Sequence, residues 1–170
     1  LGFIAEVTYH TVPEHPHKAS ALMIFPDIAT ACEAVTVLKG TTVDAVELMD
    51  RASLRSVENK AGMPPYLKTL DEQCAALLVE TRAPQADALA SQIDEITRAV
   101  DHLPRTIPVT FTSVPAEFTQ LWNIRKGLFP SVGAMRATGT TVIIEDVAFP
   151  LPRLAEATLD LQALFRKHRY

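Results

Sequence analysis

The sequence has 170 residues, 48% of them hydrophobic and 21% charged, with a formal net charge of -4. That size and balance suit one soluble globular domain with a core of its own, or one domain plus a short piece of a neighbour. No basic stripe interrupts the mildly acidic chain, which argues against a nucleic-acid partner, and apolar runs such as Ala21–Phe25 and Thr141–Ile144 are far too short to span a bilayer.

In chain order, Phe3–Val12 alternates and is rich in β-branched and aromatic residues, which predicts a strand. Pro13 and Pro16 make the next stretch a loop or linker. Ala19–Phe25 predicts a second strand, followed by a helix from an Asp27 cap to about Lys39, stopped by Gly40. Val43–Leu48 predicts a short strand, and Asp50 caps a short helix through about Asn59. Gly62–Pro65 breaks the pattern, and Tyr66–Gln73 has no clear periodicity. Ala75–Glu80 predicts a buried strand, and Pro84 opens a long helix to about Val100. Pro108–Thr112 predicts a strand, and Ser113 is placed to cap a helix from near Pro115 that ends at Pro130. Gly133–Gly139 is then a loop, Thr140–Phe149 a strand, and Leu151 or Pro152 opens the last helix.

The strand–helix unit at Ala21–Phe25 is echoed at Ala76–Glu80. Two β-α-β halves around one antiparallel sheet predict a ferredoxin-like α+β domain with helices packed on one face. A doubly wound parallel sheet would want a Gly-rich turn after its first strand, and none occurs among the 6 glycines.

Candidate chemistry concentrates in Leu121–Pro130. On a helix, Leu121, Ile124 and Leu128 share the face that packs on the sheet, while Trp122, Arg125 and Phe129 share the adjacent one. A guanidinium held between aromatic rings can stack and still offer a bidentate fork to a carboxylate. The same pattern also suits a surface arginine whose stem covers apolar area. Arg136, just beyond, is a second candidate cation or a solvated loop arginine. Glu145 and Asp146 are adjacent on a predicted strand and so point to opposite faces, which excludes a paired acid–base dyad. His10, His15 and His17 lie in a Pro-rich segment without the regular spacing of a metal site. Cys32 and Cys74 have neither metal-ligand spacing nor a disulfide framework, and read as free thiols in or near a cytosolic core.

Four segments, in order, resemble one family. Leu1–Thr8 resembles the final strand of the flavin-binding domain in FAD-linked oxidases, and Val43–Arg51 resembles a strand and turn of their C-terminal domain. Leu121–Pro130 resembles their W-x-x-R-K-G helix, and Thr140–Pro150 the strand entering the next helix. The family includes D-lactate, glycolate and D-2-hydroxyglutarate dehydrogenases, and the likeness is strongest to its long members with a C-terminal iron–sulfur region.

The resemblance implies a two-part chain. Residues 1–16 would be the end of a flavin-binding domain and a linker, and residues 17–170 a substrate-binding domain cut at its C-terminal side. The chain would then be a catalytically incomplete fragment of an enzyme that oxidises a D-2-hydroxy acid to the 2-oxo acid, hydride passing to FAD. FAD would be bound mainly by another domain, with an iron–sulfur cluster and a divalent metal held elsewhere. Arg125 matches the family arginine that binds the substrate carboxylate; Trp122, Lys126, Phe129 and Arg136 join it as candidate substrate contacts, and Gly2 and Ile4 match positions near the flavin. Two positions depart from the D-2-hydroxyglutarate enzymes: Phe129 replaces a threonine and Ile144 a lysine, with Lys126 or Arg136 placed to compensate. The implied partner is a small 2-hydroxy acid, in a cytoplasmic protein or one peripheral at the inner membrane, and a homodimer is compatible with it. The competing reading is a stand-alone ferredoxin-like small-molecule-binding or regulatory module.

Overall fold

A computed structural model of the chain describes residues 3–141 and 148–169, without the side chains of residues 129, 132 and 135. Its centre is a three-stranded antiparallel sheet in the order β1-β3-β2, made of β1 (His17–Phe25), β2 (Ala45–Asp50) and β3 (Ala75–Ala83). The helices are α1 (Ile28–Leu38), α2 (Arg51–Val57), α3 (Ala86–Ala99), α4 (Pro115–Met135) and α5 (Leu154–His168). Short 3-10 turns occupy Pro65–Thr69 and Leu151–Arg153. The architecture is the expected ferredoxin-like α+β one, except that helices cover both faces of the sheet rather than one.

Local chemistry explains the helix starts. Asp27 accepts from the Thr30 amide at 2.7 Å and Asp50 from the Ser53 amide at 2.8 Å, so each carboxylate caps the first turn of its helix, α1 or α2. Pro115 stands at the first turn of α4, where its missing N–H costs nothing.

Period-two alternation sorts the strand residues between two faces. Met23, Phe25, Ala75, Leu77 and Val79 pack with α1 and α3, as the ferredoxin-like pairing requires. Leu22, Ile24, Ala76 and Leu78 face the other way, and α2, the Pro65–Thr69 turn and α4 extend the packing to that face. Central β3 is covered on both sides, so its sequence from Ala75 to Val79 is an unbroken apolar run rather than an alternating one. Outside this core, α5 packs on α1, with Leu154 and Ala155 against the first cluster. Cys32 and Cys74 are buried free thiols, and burial pushes both above the usual cysteine range.

Several sequence expectations change. Phe3–Val12 forms no strand, and Phe3, Ile4, Tyr9 and Val12 are largely exposed. Alternation makes a strand only where an edge can be paired, and the outer edge of β1 is taken by another segment. That segment contains the expected Pro108–Thr112 strand, here reduced to an isolated bridge. Ser20 and Thr112 exchange backbone bonds at 3.0 and 2.9 Å, and the Thr106 amide donates to the Ile24 carbonyl at 2.9 Å. Five residues of β1, Ser20 to Ile24, thus face seven of the partner, Thr106 to Thr112, and Pro108 lacks a donor, so no regular ladder forms. Val114, not Ser113, precedes α4, and its amide is held by Thr112 Oγ1 at 3.2 Å.

α4 does not stop at Pro130 but runs through it to Met135, taking in the start of the expected Gly133–Gly139 loop. The proline removes one helical donor, and the Ser131 hydroxyl adds a bond to the Gly127 carbonyl within the same turn. Leu1, Gly2 and Val142–Val147, with most of the expected Thr140–Phe149 strand and both Glu145 and Asp146, lie outside the described residues.

Among the described residues, Ile124 is the one fully buried anchor of α4 in the second cluster. Ile124→Ala is expected to cost about 2–5 kcal/mol, read as a lower urea midpoint with an unchanged m-value.

Candidate functional site

The strand register places polar residues at one end of the face under α4. Ser20 pairs with Glu80 and Lys18 with Arg82 across β1 and β3, while Ala45 pairs with Glu80 and Glu47 with Leu78 across β2 and β3. Residues two apart share a face, so Lys18, Ser20, Glu80 and Arg82 continue the apolar rows of Leu22 and Leu78. The face is therefore greasy under the middle of α4 and charged where its first turns begin.

Glu80 is the centre of that charged end. Only 4% of it is exposed, yet its carboxylate has two hydrogen-bond donors and two further cationic nitrogens beside it. Ser20 Oγ lies 3.2 Å away, Lys18 Nζ 3.5 Å, and Arg82 Nε and Nη2 2.8 Å each. Burying a carboxylate is tolerable only with such pairing. The bond to Glu80 pushes Arg82 further above the usual arginine range, against the opposing effect of burial. Arg82 also reaches Glu14 at 3.3 Å on its outer side.

α4 is tied to this centre through its ring residues. The Trp122 indole Nε1 donates to Ser20 Oγ at 3.2 Å, and the same hydroxyl donates onward to Glu80. Lys18 Nζ stands 4.3 Å from the centre of the Phe118 ring. Phe118, Trp122 and Lys126 follow at intervals of four and so line one stripe of α4. Between this stripe and the strand ends lies an open cleft of about 340 Å³, lined among others by Lys18, Glu80, Arg82, Trp122 and Lys126.

Arg125 is placed differently. Its Nε donates to Glu47 on β2 at 2.9 Å, in a pair 44% and 37% exposed. Among the described residues its terminal nitrogens have no hydrogen-bond partner. The expected stack of Arg125 on Trp122 does not form, because the indole is turned to the sheet; among the described residues the cation over a ring is Lys18. The structure therefore brings Trp122 and Lys126 together in the cleft and sets Arg125 beside it on the same helix. Arg136 is apart from both, folding back onto the carbonyls of Thr140 at 2.7 Å and Gly133 at 2.5 Å, where it closes the end of α4. The Phe129 side chain and Gly2 lie outside what is described, and Ile4 is exposed and far along an unpaired segment.

Lys18, Ser20, Glu80, Arg82 and Phe118 were not singled out from sequence. Their signal was present: Glu80 and Arg82 break an apolar run with charges two apart, and Lys18 and Ser20 do the same at the start of β1. Only the strand register shows that the two breaks face each other.

The arrangement can hold an anion. It is not a cradle for a dinucleotide: of the described glycines, Gly62 and Gly139 are the ones at positive φ, and they stand singly rather than as a turn that wraps a phosphate. A side chain at Gly127 would meet Lys60 Nζ at 3.2 Å and Val57, not an open phosphate-sized space. The described residues thus do not fit a flavin pyrophosphate by themselves. Among them no helix is long and apolar enough to cross a membrane.

The described residues thus form a ferredoxin-like α+β domain with a cleft under one long helix where Lys18, Arg82 and Lys126 outnumber Glu80. The family model for the C-terminal domain of FAD linked oxidases matches residues 14–170, and the chain belongs to that family, one of flavin-dependent oxidoreductases. No curated protein matches the chain.

The Trp122–Ser20–Glu80 relay has a measurable consequence. Ser20→Ala is expected to lower stability by about 1–3 kcal/mol, since it strands the indole donor and takes a donor from a buried carboxylate. Indole N–H exchange at Trp122 should quicken in the same variant; protection equal to wild type would show that the bond does not hold the helix.

Proposed function

We propose that this domain selects and holds the acid in a flavin-dependent dehydrogenase that oxidises a D-2-hydroxy acid, of the D-lactate or D-2-hydroxyglutarate class, to its 2-oxo acid. The observation that carries this reading is Arg125. It stands at the position that resembles the family's carboxylate-binding arginine, on the exposed side of α4, and spends Nε on Glu47 while Nη1 and Nη2 have no partner among the described residues.

An exposed ion pair of this kind is worth little in water, because solvent screens it and both side chains lose freedom. A substrate carboxylate can therefore take the guanidinium at small cost. Once the site is closed, the bidentate fork fixes the orientation of the acid as well as neutralising it. Lys126, one residue on, adds a second positive charge near the same helix stripe. Trp122 supplies a rigid wall, held by Ser20, and Phe129 is proposed to continue it. Arg136 contributes to the acid only by giving up its two carbonyls, so its part is the smaller one. Gly2 and Ile4 are proposed to lie toward the flavin. Electron transfer belongs to the flavin, and the chain's own contribution is to bind, orient and discharge the acid. The likeness to the long members extends the proposal to an iron–sulfur cluster held outside these residues.

In the full-length protein, Arg125→Ala is expected to lower kcat/KM for the preferred D-2-hydroxy acid by about tenfold to a hundredfold, the loss of one charged hydrogen-bonding partner. Arg125→Lys should recover part of it, since it restores charge without the fork. Unchanged kcat/KM for every D-2-hydroxy acid tried would remove Arg125 from the role.

A further inference from the structure

A second cavity adjoins the cleft beside Arg125. The cleft of about 340 Å³ and a larger one of about 750 Å³ share Lys18, Arg82 and Phe118 in their walls, so they lie side by side at the start of β1 and the end of β3. The two halves differ in chemistry. Both are lined by Lys18 and Arg82, and the smaller adds Lys126 and the floor carboxylate Glu80. The larger adds an apolar wall from Leu89, Ala90 and Ile93 of α3 and from Phe111.

The charges within the smaller cleft do not cancel. Lys18, Arg82 and Lys126 line it against the single carboxylate of Glu80, and Glu14 engages Arg82 from outside that lining. Arg82 spends its donors on Glu80 and Glu14. Lys18 gives one contact to Glu80 and rests on the Phe118 ring, which leaves ammonium protons to offer. Lys126 is exposed and has no hydrogen-bond partner among the described residues. Two ammonium groups with unspent donors thus stand at the mouth of a cavity with an aromatic side and an apolar extension.

We propose that this composite groove is a binding subsite for an amphiphilic monocarboxylate. The carboxylate sits between Lys126 and Lys18. The apolar body lies along Phe118 toward Leu89, Ile93 and Phe111. Glu14 lines the larger half, so the groove sets Lys18, Arg82 and Lys126 against the two carboxylates of Glu14 and Glu80; a dianion would exceed that surplus, and a short acid would leave the apolar wall wet. The subsite shares Lys126 with the proposed hydroxy-acid contacts but makes no use of the Arg125–Glu47 pair, so it stands whether or not Arg125 holds a hydroxy acid.

The test is calorimetric titration of the full-length protein with phenylacetate, acetate and 2-phenylethylamine. Phenylacetate is expected to bind about tenfold or more tightly than acetate, because only it fills the apolar wall, and the amine not to bind. Lys126→Met, a change at an exposed side chain, should weaken phenylacetate by about tenfold, with most of the affinity restored in Lys126→Arg. Arg125→Ala should leave phenylacetate affinity within about threefold, a change of under one kcal/mol in binding. The proposal is overturned if phenylacetate fails to bind, binds no better than acetate, is matched by the amine, or is indifferent to Lys126→Met. Loss of binding in Arg125→Ala would also overturn it, by placing the acid on Arg125 instead.

Discussion

One buried charge organises this domain. Glu80 sits at the end of the central strand with almost no access to water, and a carboxylate there survives only if several donors converge on it. Arg82 comes from the same strand two residues on, Lys18 from β1 opposite Arg82, and Ser20 from the β1 position directly opposite Glu80. Ser20 in turn accepts the Trp122 indole, so the requirement to satisfy Glu80 reaches into α4 and fixes which way that helix faces. Ile124 anchors α4 in grease, and Trp122 fixes it in polarity. The rotation of the helix follows from both, and with it the outward position of Arg125.

The polar end and the apolar middle of one sheet face perform different work. Apolar rows at Leu22, Ile24, Ala76 and Leu78 supply cohesion, and no specificity beyond shape. The charged row is costly to bury and easily disturbed, which makes it a poor source of net stability. Its value lies in register: a shift of β1 against β3 would separate Ser20 from Glu80 and strand the carboxylate. The same donors that settle Glu80 leave a surplus of positive charge in the cleft, so the feature that orders the fold also sets the charge of the surface beside α4.

Much of this was legible in the sequence. The capping aspartates Asp27 and Asp50, the buried run at Ala75–Val79 and the helix beginning at Pro115 all follow from local rules, because capping and period are local matters. The failures were of two kinds. At Phe3–Val12 and Pro108–Thr112 the local pattern favoured strands, and whether a strand forms depends on an available edge, which is not local. At the site, attention to one helix found Trp122, Arg125 and Lys126 and missed the strand residues facing them. Lys18 and Glu80 are sixty-two positions apart in sequence, and only the β1–β3 pairing joins them. The same helix-only view put Arg125 against Trp122, whereas Ser20 claims the indole and Glu47 the guanidinium.

The central claim is that α4 presents the acid-holding face of a flavin-dependent oxidoreductase. The most direct measurement is a crystal structure of the full-length protein with a bound D-2-hydroxy acid. The account predicts the acid's carboxylate within hydrogen-bond distance of the Arg125 guanidinium, with Glu47 displaced from it. An acid bound productively at the flavin with no contact to any residue of α4 would contradict the account.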